Sequence, residues 1–297
     1  MWESDVSLAS LTRYRIGGPA DRFARIETRS DLGAVLESLE GSSYRVLGWG
    51  ANVLASDRGV AEPVISLSGD FDFLRMSDEA IEVGGAVGLP ALVGDARREG
   101  RAGWDFLEAV PGSVGGGLRM NAGSTEVGIW DRVVWAEAVN AAGDCIRMDR
   151  SEATPRYRGV DVPDEWVFIG ASLAAPAGDP ATIDAVHAER RRRKVEEQVY
   201  ELPSCGSIWK NPGPPHGSAW ELVDRAGMRG AIRGGAQIAE RHANFIANLG
   251  GATAADVLWL MAETRRRVND REGILLQPEI CLWGFTADEL ISVGVAP

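Results

Sequence analysis

The run Val110–Ser124, VPGSVGGGLRMNAGS, packs five glycines into fifteen residues, and it constrains the fold more than any other part of the chain. A backbone without Cβ atoms can turn left-handed and lie directly against another backbone, and its N–H groups can converge on an anion. Two shorter runs have the same character: GWGANVLAS from Gly48 to Ser56, and GGAVG from Gly84 to Gly88. None matches the lysine-containing phosphate loop. GWGANV only imitates the dinucleotide fingerprint, because a third glycine and a following helical pattern are missing. One such loop alone reads as tight turns. Several together, one of them holding Pro-Gly-Ser and Asn-Ala-Gly, suggest a large phosphorylated ligand.

The chain has 297 residues, more than one hydrophobic core usually serves, so two or three subdomains are expected. A net charge of -12 argues against a nucleic-acid partner, since that surface repels phosphate backbones. The basic run ERRRRKVEEQ, Glu189 to Gln198, is flanked by acids and reads as a solvated helix face with ion pairs one turn apart. Three cysteines, Cys145, Cys205 and Cys281, have neither a CxxC nor metal-ligand spacing, so no disulfide framework and no metal site is expected. The N-terminus lacks a basic head followed by an apolar run, and no apolar stretch approaches the ~18 residues of a membrane span. A cytoplasmic protein without membrane insertion is the expectation.

Hydrophobic periodicity divides the chain into three parts. Residues 1–60 contain a βαβ pattern: DRFARIET extended, SDLGAVLESLEG helical with Ser30 as cap, and YRVLGWG extended. Residues 61–176 alternate short strands with glycine turns, including a hairpin through Ala142-Gly143-Asp144, and one helix from about Pro90 to Glu99. Residues 177–297 open with the basic helix and end with two helices that Ser218/Glu221 and Thr253/Asp256 cap as boxes. Val257, Leu258, Leu260, Met261 and Val268 form the core stripe of the last of these. The fold class is therefore α+β.

For chemistry, the segment SCGSIWKNPGP sets Ser207 beside a glycine, with Lys210 and Asn211 close behind. Ser207 lacks a nucleophile elbow, and His187, His216 and His242 carry no triad signature, which disfavours a hydrolase.

Seven blocks in order, TRYRIGGPA, LGWGANVL, VPGSVGGGLRMNAGS, RYRG, GSIWKNP, GGAQIAERHANFIANLGGATAADV and GILLQPEICLWG, closely resemble the UDP-N-acetylenolpyruvoylglucosamine reductases (the MurB family). The resemblance runs from Thr12 to Gly284, and the absence of a tyrosine-bearing insertion matches the shorter type. It implies an FAD-binding domain of the vanillyl-alcohol-oxidase type, made of two α+β subdomains, followed by a smaller α+β substrate domain. It also implies non-covalent FAD, NADPH as co-substrate, a sugar-nucleotide substrate and a role in peptidoglycan synthesis, in a protein expected to be monomeric.

Carried over by position, Gly48, Trp49, Gly50, Ala51, Asn52, Val53, Leu54, Pro111, Gly112, Ser113, Gly115 and Gly116 would wrap the FAD pyrophosphate, and Asn121, Ala122 and Gly123 would lie against the cofactor. Ser207 would be the proton donor. Arg158 would stabilise the substrate carboxylate as charge develops. Glu279 would serve with a raised pKa, because a bare carboxylate there opposes a developing dianion. Tyr157, Lys210 and Asn211 would bind substrate. Cys205 and Cys281 flank these positions and read as packing residues.

The chain departs from the family pattern at Ala51 and Ala239, where serines are usual, and at Gly159, Val160 and Asp161, where a serine or threonine is expected. Each missing hydrogen bond would weaken binding by about 0.5–1.5 kcal/mol. Rival readings are another FAD oxidoreductase of the same fold acting on a hydroxy acid, alcohol or sugar, and a flavin-binding regulator without turnover.

Overall fold

The computed structural model describes residues 2–296 and divides into two compact units, each built from separate stretches of chain. The first comprises Met1–Glu3, Arg22–Trp49 and Glu62–Lys194; the second comprises Ser4–Asp21, Gly50–Ala61 and Val195–Pro297. The contacts thus follow a discontinuous division, whereas the parts drawn from sequence at about residues 60 and 176 are linear.

In the first unit, four strands form a sheet in the order Trp2–Glu3, Phe23–Ile26, Val64–Leu67, Arg45–Val46. Helix α1 (Arg29–Ser38) links Phe23–Ile26 to Arg45–Val46 as the βαβ pattern requires. However, Val64–Leu67 lies between those two strands, pairing in parallel with both. Val64 and Ile65 are fully buried, which a central strand satisfies and an edge strand does not. Thr28, not Ser30, caps α1: its hydroxyl accepts from the Asp31 N–H at 3.1 Å, and Ser30 is already inside the helix.

The second sheet of this unit runs Cys145–Asp149, Val133–Val139, Val167–Ala174, Ala80–Gly84, Leu74–Met76, antiparallel throughout. Val167–Ala174 is buried along nearly its whole length and takes the middle position. Helix α2 (Leu89–Arg98) lays Leu92, Val93 and Ala96 into a core with Trp104, Trp130 and Phe168. Helix α3 (Val114–Met120) is the VGGGLRM of the glycine run, capped by Ser113 and ended by Asn121 in the left-handed region at φ 45°.

Helix α4 (Pro180–Glu197) carries the basic run, and here the solvated-face reading needs correction. Arg192 does pair with Glu189 along the helix, but His187, Arg190, Arg191 and Lys194 turn to acids and carbonyls elsewhere. His187 is buried with Nδ1 2.8 Å from Glu108 Oε2, and Arg190 bonds Asp105 at 3.2 Å. Ile183, His187, Arg190 and Lys194 recur at helical spacing. The stripe escapes a hydropathy reading because most of it is ionisable.

The second unit contains α5 (Ala219–Arg225), α6 (Ala254–Glu272) and α7 (Ala287–Ser292). With them are an antiparallel sheet of Ile232–Arg233, Ala236–Ile238 and Ile246–Asn248, and a parallel pair, Val53–Ala55 with Cys281–Trp283. The capping boxes of α5 and α6 form as the sequence implies, and Val257, Leu260, Met261 and Val268 are fully buried against Leu222, Val223 and Trp209.

Asp57 pins the inserted segment Gly50–Ala61 in place, its two carboxylate oxygens accepting from the first N–H groups of α6, Ala254 at 2.8 Å and Ala255 at 3.0 Å. A carboxylate at a helix N-terminus satisfies donors that have no partner inside the helix. Asp57→Ala is expected to destabilise the protein by about 1–2 kcal/mol, seen as a lower urea midpoint at unchanged slope.

Candidate active site

In the first unit, the three glycine-rich segments pack at distances that exclude side chains. A Cβ on Gly48 would collide with Ser113 Oγ, one on Gly88 with the Trp49 ring, and one on Gly115 would lie 2.9 Å from the Phe168 carbonyl. Not every amide of the run faces outward. Val114 N–H donates to Val87 O, Gly115 N–H to Gly85 O, and Gly116 N–H to Ser113 Oγ, while Pro111 has no N–H. Gly115 and Gly116 therefore contribute shape, and the amides of Gly112 and Ser113 remain for an anion, since neither donates within the protein among the described residues. Gly48 and Gly116 are exposed, so the cradle is open to solvent. These residues fit a large phosphorylated cofactor: a backbone-lined surface, uncommitted donors and no side chain in the way.

Asn121, Ala122 and Gly123 follow α3 directly. The Asn121 Nδ2 donates to the Arg156 carbonyl at 3.0 Å, and its Oδ1 accepts from the Trp130 N–H at 3.3 Å. Tyr157 and Arg158 form the two-residue turn between the short strands Pro155–Arg156 and Gly159–Val160. Arg158 sits in the left-handed region at φ 57°, a conformation that costs a side-chain-bearing residue energy and persists only where surrounding structure holds it. Its Nη1 donates to the carbonyls of Gly123 at 3.1 Å and Ser124 at 3.3 Å, and its guanidinium stands 4.8 Å from the Tyr157 ring centre.

In the second unit, segments far apart in sequence meet as neighbouring backbones. Glu279 N–H donates to Ile208 O at 2.8 Å, Lys210 N–H to Gln277 O at 2.9 Å, and Cys281 N–H to Asn52 O at 2.9 Å. Asn52 Nδ2 adds a bond to the Glu279 carbonyl at 3.0 Å. This unit thus gathers Asn52, Ser207, Lys210 and Glu279, while the first gathers Gly48, Trp49, Ser113, Asn121, Tyr157 and Arg158. Gly50, at φ 59°, lies against the backbone of Leu11 and Thr12, where a Cβ would overlap. Ala51 is half-buried, Val53 is nearly buried, and Leu54 is fully buried in the core of this unit.

Ser207 is half-buried, and among the described residues its hydroxyl has no hydrogen-bond partner. Its backbone is bridged to Phe245. The buried Asn244 clamps the next residues, accepting from Ile208 N–H on its carbonyl and exchanging two amide bonds of 2.9 Å with Trp209. Sequence reading missed Asn244, whose only signal is an amide among apolar residues in HANFI. Asn211 accepts the Ala219 N–H at 2.9 Å, so its carbonyl oxygen is engaged at the start of α5. Burial raises the Cys205 thiol well above the usual range, the state of an inert packing residue.

Sequence reading also passed over Lys194. Burial, and then repulsion from Arg190, lower its pKa to about 8, while its ammonium donates to the Glu108 carbonyl at 2.7 Å. An ammonium disfavoured in the folded state binds fewer protons there than in the unfolded chain, so folding stability rises with pH from about 8 towards 10. Lys194→Met is expected to lack that rise in urea titrations across the same window.

A sequence profile for an FAD binding domain matches residues 20–149, and one for the UDP-N-acetylenolpyruvoylglucosamine reductase C-terminal domain matches residues 198–283. Among curated relatives, a UDP-N-acetylenolpyruvoylglucosamine reductase of Paramagnetospirillum magneticum is 41% identical over 286 residues, covering 96% of this chain and 92% of its own. One from Methylorubrum extorquens is 39% identical over 287 residues, covering 95% and 91%. The crystal structure of the Thermus caldophilus enzyme of that name superposes with a TM-score of 0.83 at 33% identity, covering 95% of this chain and 99% of that one. The glycine cradle lies within the FAD-domain match, Ser207 and Glu279 lie within the C-terminal match, and relatives align almost from end to end. On these grounds the chain is an α+β protein with an FAD binding domain, and it belongs to the UDP-N-acetylenolpyruvoylglucosamine reductase family.

Proposed function

We propose that this protein reduces the enolpyruvyl ether of UDP-N-acetylglucosamine to UDP-N-acetylmuramate for peptidoglycan synthesis, with NADPH as reductant and non-covalent FAD as carrier. Its place of action in this reading is the cytoplasm and its working form the monomer; no helix among the described residues is long and apolar enough to cross a membrane. The observation that carries the reading is the Ser207 hydroxyl, held in a clamped segment whose next residue pairs with Glu279, and itself without a hydrogen-bond partner among the described residues.

FAD, once bound, supplies the hydride that ends on the terminal carbon of the substrate double bond. Negative charge then develops on the adjoining carbon and its carboxylate. Ser207 donates its hydroxyl proton to that carbon; a weak acid suffices against so basic a site when water is excluded. Arg158 offers planar donors to the carboxylate as its charge grows, and pre-set donors act without reorganising. Glu279, with a raised pKa, donates a hydrogen bond rather than opposing the charge. Tyr157, Lys210 and the Asn211 amide bind the sugar and diphosphate. Gly48 to Leu54 and Pro111 to Gly116 hold the cofactor, with Asn121, Ala122 and Gly123 close to it.

The test is direct. The purified protein should show a flavin visible spectrum, and under anaerobic conditions NADPH should be oxidised beyond one equivalent per flavin only when the enolpyruvyl sugar nucleotide is present. A protein that takes up no FAD, or a flavoprotein that leaves this substrate untouched, would remove the reading.

A further inference from the structure

We propose that Asn121 is a positioning residue for Arg158, acting through the turn that carries it rather than by contact with the cofactor. This rests on the role of Arg158 given above.

Both ends of the Asn121 amide are committed within the first unit. Nδ2 donates to the carbonyl of Arg156, two residues before Arg158, and Oδ1 accepts from Trp130, which is fully buried. The residues immediately after Asn121 complete the arrangement, because Arg158 Nη1 donates to the Gly123 and Ser124 carbonyls. One short stretch, Asn121 to Ser124, therefore grips the turn at two points, its backbone before Arg158 and the guanidinium itself. Asn121 can do this because it ends α3 in the left-handed conformation at φ 45°, which turns its side chain away from the helix path; asparagine tolerates that conformation better than most residues. Gly128 leaves the room, since a Cβ there would overlap Asn121 Oδ1. Arg158 is itself left-handed, so its pose depends on such external restraint.

Two variants isolate the effect. Asn121→Gly keeps the left-handed backbone and deletes the amide, whereas Asn121→Asp keeps the acceptor for Trp130 and replaces the donor to Arg156 O. In anaerobic stopped-flow measurements on the FAD-loaded protein, each should slow reoxidation of the flavin by the enolpyruvyl sugar nucleotide by about tenfold or more. The slowing of reoxidation should exceed any change in reduction by NADPH or in affinity for FAD by about tenfold, the mark of an interaction used chiefly in the second half-reaction. Adding Asn121→Gly to Arg158→Ala should slow reoxidation no further, because residues that act through one another are not additive. Additive slowing in that double variant, or an equal loss of FAD affinity and both half-reactions, would overturn the inference. Wild-type reoxidation in Arg158→Ala alone would instead overturn the role of Arg158, and with it this inference.

Discussion

Replacing Ser207 by alanine is expected to leave flavin reduction by NADPH within about twofold of wild type while slowing reoxidation by the enolpyruvyl sugar nucleotide by about 10²–10⁴-fold, the usual weight of a positioned acid. The separation follows from the site. The Ser207 hydroxyl supports no other group among the described residues, so its removal leaves no orphaned partner. The segment stays in place through its bridge to Phe245 and the Asn244 clamp on Ile208 and Trp209. Only the proton is lost. A solvent isotope effect on reoxidation should change with the substitution. Reoxidation of Ser207→Ala at the wild-type rate would show that the proton comes from elsewhere.

Gly85→Ala is expected to cost about 3 kcal/mol of folding stability and to weaken FAD binding about tenfold or more. A Cβ at Gly85 would overlap the Phe168 carbonyl and lie 3.2 Å from the Ile169 carbonyl carbon, both backbone atoms of the central strand Val167–Ala174. Backbone of a buried strand cannot rotate aside as a side chain can. Gly85 also accepts the Gly115 N–H at 2.9 Å and donates to Ile169 O at 2.8 Å, so displacing it moves the start of α3 and the cradle with it. Gly94→Ala in α2 is the control: nothing lies within 4 Å of its Cβ position, and the change should stabilise by about 0.5–1 kcal/mol. Urea unfolding of the flavin-free protein and FAD titration measure the two effects separately. Equal stability for Gly85→Ala and wild type would remove the packing account of the cradle.

Much of the fold was legible locally. The capping boxes at Ser218/Glu221 and Thr253/Asp256 form as read, as does the Ala142–Asp144 hairpin, because caps and turns depend on residues within four positions of one another. The start of α1 was misplaced, since Thr28 and Ser30 are equally able to cap and only the entry direction of the chain chooses. Lys194 and His187 were hidden because an ionisable residue reads as solvated until its partner, Glu108, is brought to it.

By itself, the sequence determined where glycine must allow backbones to meet, the ordered blocks that identify the family, and which side chains carry reactive groups. Tertiary structure alone decided that Val64–Leu67 enters the middle of the first sheet and that Gly50–Ala61 joins the C-terminal unit. It alone also decided that the Gly115 and Gly116 amides turn inward and that Glu279 and Cys281 bond to the backbones of Ile208 and Asn52. The physical reason is that backbone donors and acceptors are nearly the same at every residue. Which of them pair across long chain separations is chosen by burial of whole faces, a property no short window of sequence contains.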